Sequence, residues 1–91
     1  MNNFDGDALV SIAKAITSKE DFAVFAKLLL QNYREYQHEW DNATLERYLE
    51  ALAEFVESID GYYANIGATV SMDRPSWRVF ADILLAGRVY E

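Results

Sequence analysis

Residues 45–63 read LERYLEALAEFVESIDGYY, which is the longest helical pattern in the chain. Its apolar side chains recur every three or four positions, and one row of them comprises Leu45, Leu49, Leu52, Val56, Ile59 and Tyr63. This spacing is typical of one face of an α-helix. The pattern predicts an amphipathic helix that begins at Asp41 and Asn42 and ends at Gly67, a residue type common at helix C-termini. A kink or a break is expected at Gly61, because glycine inside a helix costs about 1 kcal/mol relative to alanine.

Three further segments show helical spacing. The first covers about residues 7–16, and the second begins at Ser18, where Asp21 completes a pair that resembles a capping box, and continues to about residue 40. The last has Pro75 in its first turn, where the missing N–H does no harm. Since no alternation typical of strands occurs, we predict an all-α fold, one compact domain of about four helices over residues 1–91.

The same periodicity predicts which side chains form the core. The expected core residues are Phe25, Leu29, Leu45, Leu49, Leu52, Val56, Phe80 and Leu84. The buried face of the last helix is expected to contain Trp77, Phe80, Ala81, Ile83 and Leu84. On this basis, truncation of Leu52 to alanine should lower the free energy of unfolding by about 2–5 kcal/mol.

Composition excludes several classes of protein. The chain has 91 residues, 8 basic and 15 acidic side chains, a formal net charge of −7 and no cysteine. Without cysteine, a disulfide scaffold, a zinc–thiolate site and a cysteine nucleophile are excluded. The negative charge repels phosphate backbones, so we expect no nucleic-acid partner. The longest apolar stretch, residues 22–30, is interrupted by Lys27 and is too short to span a membrane, and the first residues lack the features of a signal peptide. We therefore expect no membrane partner and a cytoplasmic location.

The inventory of reactive side chains argues against an enzyme. The chain has one histidine, His38, which could act as a general base. It has no G-x-S-x-G turn that would present a serine nucleophile to this histidine. Glu35 and His38 have the spacing of one half of a carboxylate di-iron site, but such a site needs a second pair of this kind, and the chain has no second histidine. Glu39 and Asp41 could complete only a weak site for a divalent cation at the end of the helix. No acidic residue lies on a predicted apolar face, where burial would raise its pKa. We expect no catalytic activity, no metal and no cofactor.

One face of the long helix carries an unrelieved negative charge. Its glutamates, called the acidic ridge below, are Glu46, Glu50, Glu54 and Glu57. Like charges four residues apart disfavour a helix by about 0.2–0.5 kcal/mol per pair, and Arg47 lies on a different face. The ridge is either a solvated face, screened by salt or neutralised by arginines of another helix, or a docking surface for a cationic partner.

Aromatic residues line the edge of the apolar row that lies away from the glutamates. Tyr48, Phe55 and Tyr62 follow one another at intervals of seven. One interpretation is that they form the edge of the core, with buried rings and solvent-exposed hydroxyl groups. The other is that they form a partly exposed aromatic patch that anchors an interface. A pocket between Trp40, Trp77 and these tyrosines is a further hypothesis. The candidate partner-binding residues are Glu46, Glu50, Glu54, Glu57, Tyr48 and Tyr62.

Several blocks resemble a family of short bacterial proteins classed as a domain of unknown function. The blocks are S-x-E-D-F-x-x-F from Ser18, W-x-N-x-T-L-x-x-Y-L from Trp40, G-Y-Y-x-N-x-G from Gly61, and P-x-W-R-x-F-A-x-I-L from Pro75, with Tyr90-Glu91 at the end. The similarity covers about residues 18–91, so the first helix lies outside it. The resemblance implies a bacterial source and a small stand-alone domain, and it supplies no catalytic residue.

Two hypotheses for function follow. The first is a non-catalytic protein-interaction module that binds a basic protein partner, and its most concrete form is an immunity or antitoxin-type partner of a basic toxin. Immunity proteins of the colicin type are similarly small, acidic and helical, although the analogy is one of general character. The alternative is a small-ligand-binding domain that uses the aromatic cluster. The oligomeric state is left open.

Overall fold

The computed structural model describes residues 4–68, 70, 74 and 76–90. Within these residues the chain forms five α-helices and one short 3-10 helix, and no strand. The helices are α1 (Gly6–Lys14), α2 (Lys19–Glu35), the 3-10 helix (Gln37–Glu39), α3 (Leu45–Glu57), α4 (Ile59–Asn65) and α5 (Trp77–Ala86). The predicted all-α class is confirmed, with one helix more than expected. The predicted position of Pro75 lies outside the described residues.

Short polar side chains start four of the helices. Each accepts a hydrogen bond from the backbone N–H three residues further on, and the caps are Asp5, Ser18, Thr44 and Ser76. The predicted helix start at Ser18 is confirmed, because the N–H of Asp21 donates to Ser18 Oγ (3.1 Å). The return bond of the predicted box is displaced by one residue, since the carboxylate of Asp21 accepts from the N–H of Thr17 (3.1 Å). These bonds satisfy donors that a helix N-terminus leaves unpaired.

The predicted start of the long helix at Asp41 and Asn42 is wrong, since α3 begins after Thr44. The side chain of Asn42 is engaged elsewhere and cannot cap a helix. Its amide nitrogen donates to the carbonyl oxygens of Gly87 (3.2 Å) and Tyr90 (3.0 Å). Asn42 therefore ties the segment before α3 to the segment that follows α5.

The long helix breaks at Ser58, three residues before the predicted break at Gly61. The N–H of Ser58 donates to the carbonyl of Phe55 (3.0 Å), and its hydroxyl donates to the carbonyl of Glu54 (3.3 Å). A serine that bonds to its own helix backbone in this way competes with regular helical bonds. Gly61 itself lies inside α4, which shows that a glycine was tolerated there.

The predicted stop at Gly67 is confirmed, and its geometry explains why glycine is there. Gly67 has a φ of +72°, a value that residues with a Cβ rarely adopt. Its N–H donates to the carbonyl of Ala64 (3.2 Å), and the N–H of Ala68 donates to the carbonyl of Tyr63 (3.0 Å). This pair of bonds is the Schellman arrangement that closes many helices.

Helix α5 lies between two apolar clusters and contributes to both. On one side it packs against α1 and α2, where the cluster contains Leu9, Ala13, Ile16, Phe25, Leu29, Ala81 and Leu85. On the other side it packs against α3 and α4, where the cluster contains Phe55, Ile59, Tyr63 and Val79. Helix α5 therefore fixes the relative positions of the other helices. None of the helices within the described residues is long and apolar enough to cross a membrane.

The predicted core is right for α2 and largely wrong for α3. Phe25 and Leu29 are buried, as expected. The expected core residues that are instead exposed are Leu45, Leu49, Val56 and Phe80, while Leu52 and Leu84 are half-buried. Helix α3 buries Ala51 and Phe55, with Tyr48 half-buried beside them. At about 100° per residue, this buried face is roughly a quarter-turn away from the predicted row.

Aromatic packing accounts for this rotation. The ring of Phe55 meets those of Tyr62 (centroids 5.2 Å apart) and Tyr90 (5.4 Å), and the hydroxyl of Tyr48 donates to the carbonyl of Leu84 (2.6 Å). Large rings bury more apolar area than leucines and add favourable ring contacts. On α5 the buried residues are likewise Val79, Ala81, Asp82 and Leu85, and the predicted Trp77 and Phe80 are exposed.

One buried amide joins segments that are distant in sequence. Asn32 on α2 donates from Nδ2 to the carbonyl of Phe4 (2.9 Å). Its Oδ1 accepts from Trp40 Nε1 (2.7 Å) and from Arg88 Nη1 (3.3 Å). Because buried polar groups without partners are costly, this network holds the start of α1, the 3-10 segment and the end of α5 in register.

Candidate functional site

The rotation of α3 leaves an apolar surface open to solvent. Leu45 is 73% exposed, Leu49 is 51% exposed, and Val56 is also exposed. These three residues, called the α3 stripe below, lie on one side of the helix over three turns, and the half-buried Leu52 lies among them. Single exposed leucines are ordinary on protein surfaces, but a contiguous row marks a candidate interaction site.

The stripe continues into a groove between α2 and α3. The α2–α3 groove has a volume of about 410 Å³, and its walls include Leu30 and Tyr33 from α2 and Leu45 from α3. Leu30 is itself exposed. The indole of Trp40 also lines the groove and stacks on the ring of Tyr48 (centroids 5.7 Å apart, planes 23° apart). The groove is therefore mostly apolar and large enough to accept side chains of a partner.

The acidic ridge flanks the same stripe. All four ridge glutamates are exposed on α3, and three of them directly follow Leu45, Leu49 and Val56 in sequence. Neither of the two ion pairs within the described residues involves a ridge glutamate. Arg47 lines a shallow polar depression with Glu50 and Glu54 but forms no ion pair with either. The helix thus presents an apolar row with an uncompensated row of carboxylates beside it.

The two candidate tyrosines occupy different places. Tyr48 lines the α2–α3 groove, and burial raises its pKa to about 12, with the charge of Arg88 acting in the opposite direction. Tyr62 lies on α4, and its ring packs against those of Phe55 and Tyr63. Burial raises the pKa of Tyr62 above its ordinary value, and the carboxylate of Asp82 adds to the shift. The aromatics at intervals of seven thus belong to the core and its edge, and the exposed apolar side chains of the α3 stripe are leucine and valine.

The hypothetical pocket between the two tryptophans does not form, because the fold separates them. Trp40 meets Tyr33 and Tyr48, whereas Trp77 packs against Phe22 (ring centroids 5.3 Å apart) and Phe80 (5.8 Å). A ligand site between both indoles is therefore absent from the part of the chain that the structure describes.

A buried carboxylate, missed by sequence analysis, lies on α5. Asp82 is 8% exposed and accepts a hydrogen bond from the hydroxyl of Tyr63 at 2.5 Å. Nε of Arg78 lies 3.5 Å from the same carboxylate. Burial raises the pKa of Asp82, while the bond from Tyr63 and the charge of Arg78 act in the opposite direction. The expectation that no acidic residue lies on a buried face is wrong, and the signal for it was Arg78 one helical turn earlier.

The residues considered for metal binding are not assembled. His38 and Glu35 are exposed, and the ring of His38 contacts that of Tyr36. Glu39 instead accepts from the N–H of Gly6 (3.0 Å) and from Asn32 Nδ2 (3.3 Å), so it has a structural role. Among the residues that the structure describes, no three histidine, aspartate or glutamate side chains are placed to hold a metal ion.

These features define a class of protein: a small helical domain with an apolar groove, an exposed stripe and an acidic ridge on one helix. The family can also be stated. A family model described as a family of unknown function, DUF7660, matches residues 18–91, and the chain belongs to this family. No curated protein and no solved structure gives a significant match. Helix α1 lies outside the matched residues.

Proposed function

We propose that this protein is a non-catalytic interaction module that binds a cationic amphipathic helix of a partner protein. The helix would lie along the α3 stripe and in the α2–α3 groove. The observation that carries the proposal is the exposure of Leu45, Leu49 and Val56 directly beside the acidic ridge. An amphipathic helix in an apolar groove is a recurrent mode of peptide recognition.

The dimensions of the surface support a helical ligand. From Leu45 to Val56 the stripe extends about 16 Å along α3, the length of about three helical turns. A partner helix with apolar residues at i, i+4 and i+7 would match this length. Completing the burial of the three stripe residues and Leu30 contributes about 3–5 kcal/mol, which is modest against the entropy that association costs. Charge pairing along the flank is therefore needed as well.

The charge of the ridge supports a basic partner rather than a second copy of this chain. In a two-fold symmetric dimer the same patch of each copy meets its equivalent. If two stripes packed antiparallel, the acidic ridge of one copy would face the ridge of the other, and like charges across an interface are unfavourable. Lysines or arginines along one flank of a partner helix would instead pair with the ridge and accelerate association.

A pair of designed peptides tests this proposal. The first is an 18-residue amphipathic helix made of leucine and lysine, and the second has glutamate in place of lysine. Fluorescence anisotropy should show saturable binding of the lysine peptide to the protein, and binding of the glutamate peptide at least tenfold weaker. The double substitution Glu50→Lys/Glu54→Lys should weaken binding of the lysine peptide at least tenfold at low salt. The difference in affinity between this variant and the wild type should shrink as sodium chloride is added. Leu45→Ser/Leu49→Ser should weaken it to a similar extent at every salt concentration.

The matched control is Glu20→Lys/Glu35→Lys, which changes the net charge equally at exposed positions outside the groove. It should leave the affinity almost unchanged. An equal loss in the control would mean that only net charge attracts the peptide, and the proposal would fail. A dimer in sedimentation equilibrium that Leu45→Ser/Leu49→Ser dissociates would show that a second copy covers the surface instead.

The same variants identify a natural partner. A protein retained by the wild-type chain and by the control, but lost from both the ridge and the stripe variants, would be bound through this surface. An immunity or antitoxin-type role is the most concrete form of the proposal, supported by the small size, the acidity and the helical fold. In that case a gene for a large toxin with a basic domain should neighbour the gene for this chain. A metabolic operon would favour a ligand-binding role.

A further inference from the structure

A second cavity lies beside α5, and none of its lining residues belongs to the α2–α3 groove. This α5 cavity has a volume of about 210 Å³, and Val10, Phe55 and Leu85 belong to its lining. Phe55 and Leu85 are core residues, so the floor is apolar and firmly held. The volume is below the roughly 300–1,000 Å³ of most ligand sites, which restricts an occupant to about one ring or one short branched chain.

Cations are concentrated at this cavity to a degree that the composition does not predict. Three of the 8 basic residues of the chain line it, namely Lys14, Arg78 and Arg88, with one acidic residue, Asp82, although acidic residues number 15 overall. The guanidinium of Arg88 already donates to the carbonyl of Leu85 (3.1 Å) and to Asn32. Lys14 and Arg78, opposed by the single carboxylate of Asp82, therefore leave a net positive charge for an occupant.

Arg78 is the lining cation with an unsatisfied buried donor. Its Nε is buried without a hydrogen-bond partner among the described residues, and its contact with Asp82 is an ion pair at 3.5 Å. Its guanidinium lies 5.8 Å from the centroid of the Tyr63 ring, which holds the group beside the cavity. A planar guanidinium is suited to a carboxylate, which it binds through two parallel hydrogen bonds.

We infer that the α5 cavity binds a small monocarboxylate with one apolar ring or short branched chain. The apolar part would rest on Phe55 and Leu85, and the carboxylate would pair with Arg78 and Lys14. Tyr62, at the wall, would cover one face of the ligand. This site is separate from the α2–α3 groove, and the inference does not depend on the proposed function.

Titration of the isotopically labelled protein with sodium benzoate and with sodium 3-methylbutanoate, followed by NMR at constant ionic strength, tests the inference. The amide signals of Lys14, Arg78 and Tyr62 should shift saturably, with a dissociation constant of about 1 mM or below, a value in keeping with a ligand of about nine non-hydrogen atoms. Benzyl alcohol, which has the ring without the charge, should bind at least tenfold more weakly.

Two variants should move the affinity in opposite directions. Arg78→Gln should weaken benzoate binding at least tenfold, and Arg78→Lys, which keeps the charge but loses the two-pronged geometry, should weaken it less. Asp82→Asn should strengthen binding severalfold, because it removes a competing carboxylate and releases the guanidinium. Arg34→Gln, an equal change in charge at an exposed position outside the cavity, should have no effect.

Three results would overturn the inference. They are the absence of saturable shifts with either carboxylate, equal affinity for benzyl alcohol, and shifts confined to the α2–α3 groove. Weaker benzoate binding by a folded Asp82→Asn variant would also contradict it, because the aspartate would then be part of the site. Circular dichroism establishes which variants are folded, and the three wild-type titrations stand without any variant.

Discussion

Alanine substitutions of Phe55 and Leu49 test which face of α3 the protein buries. Both residues lie on the same helix, but Phe55 is 2% exposed and Leu49 is 51% exposed. Truncation of a buried phenylalanine removes its transfer free energy and leaves a cavity, so Phe55→Ala should lower the free energy of unfolding by about 3–5 kcal/mol. Two ring contacts, with Tyr62 and Tyr90, are lost in addition. In a domain of this size the melting temperature should fall by about 12 °C or more.

Leu49→Ala should have little effect by the same reasoning. Half of its surface is already in water in the folded state, no closed cavity can form at an open surface, and alanine favours a helix slightly more than leucine does. We expect a loss below about 1 kcal/mol. Leu52→Ala, at a half-buried position, should fall between the two and below the 2–5 kcal/mol expected for a core leucine.

Urea denaturation followed by circular dichroism gives the three free energies under identical conditions. The order Phe55→Ala, Leu52→Ala, Leu49→Ala, from largest loss to smallest, is the expected outcome. If Leu49→Ala costs as much as Phe55→Ala, the helix buries the leucine row. In that case the α3 stripe is not a surface and the proposed partner site does not exist.

Two further predictions concern glycine and tyrosine. Gly61→Ala should raise the free energy of unfolding by about 0.4–1 kcal/mol, because a Cβ at this position meets nothing within 4 Å. Gly87→Ala should lower the free energy of unfolding by about 1–3 kcal/mol, because a Cβ at this position would lie 2.8 Å from the Tyr48 ring. Thermal denaturation of both variants checks this, and the opposite order would mean that the Tyr48 ring does not rest on Gly87. Burial raises the pKa of Tyr48 to about 12, above its ordinary value of 10.0, so the unfolded chain ionises first and the free energy of unfolding should fall as pH rises from about 10 to 12. Tyr48→Phe should have a shallower fall in urea titrations across this range, and an unchanged slope would contradict the burial of the hydroxyl.

Features that depend on near neighbours in sequence were predictable. The cap at Ser18 and the stop at Gly67 require only residues within one or two helical turns, and both are confirmed. The acidic ridge was predictable for the same reason, because its four glutamates share one face of a single helix whatever that helix packs against. The break at Ser58 was displaced from the predicted Gly61 because it depends on a side-chain bond that glycine propensity does not describe.

Features that depend on contacts between distant segments were not predictable. Leucines and aromatics together give α3 a continuous apolar arc of roughly 120° at about 100° per residue, so periodicity alone does not decide which part of it faces α5. Asp82 is buried because Tyr63, 19 residues away, supplies a hydrogen-bond partner. Asn32 is buried because Arg88, 56 residues away, does the same. The α2–α3 groove and the α5 cavity exist only once three or more segments are assembled, and no spacing along the chain indicates them.

The position of α1 has a practical consequence for work on this family. The family match begins at residue 18, yet Leu9 and Ala13 of α1 are fully buried against α2 and α5. A recombinant fragment cut at the family boundary would lose the cover of Phe25, Ala81 and Leu85 and the acceptor that Phe4 provides for Asn32. The smallest fragment worth expressing therefore begins before Phe4, and a synthetic peptide of the first helix should rescue the solubility of a shorter one.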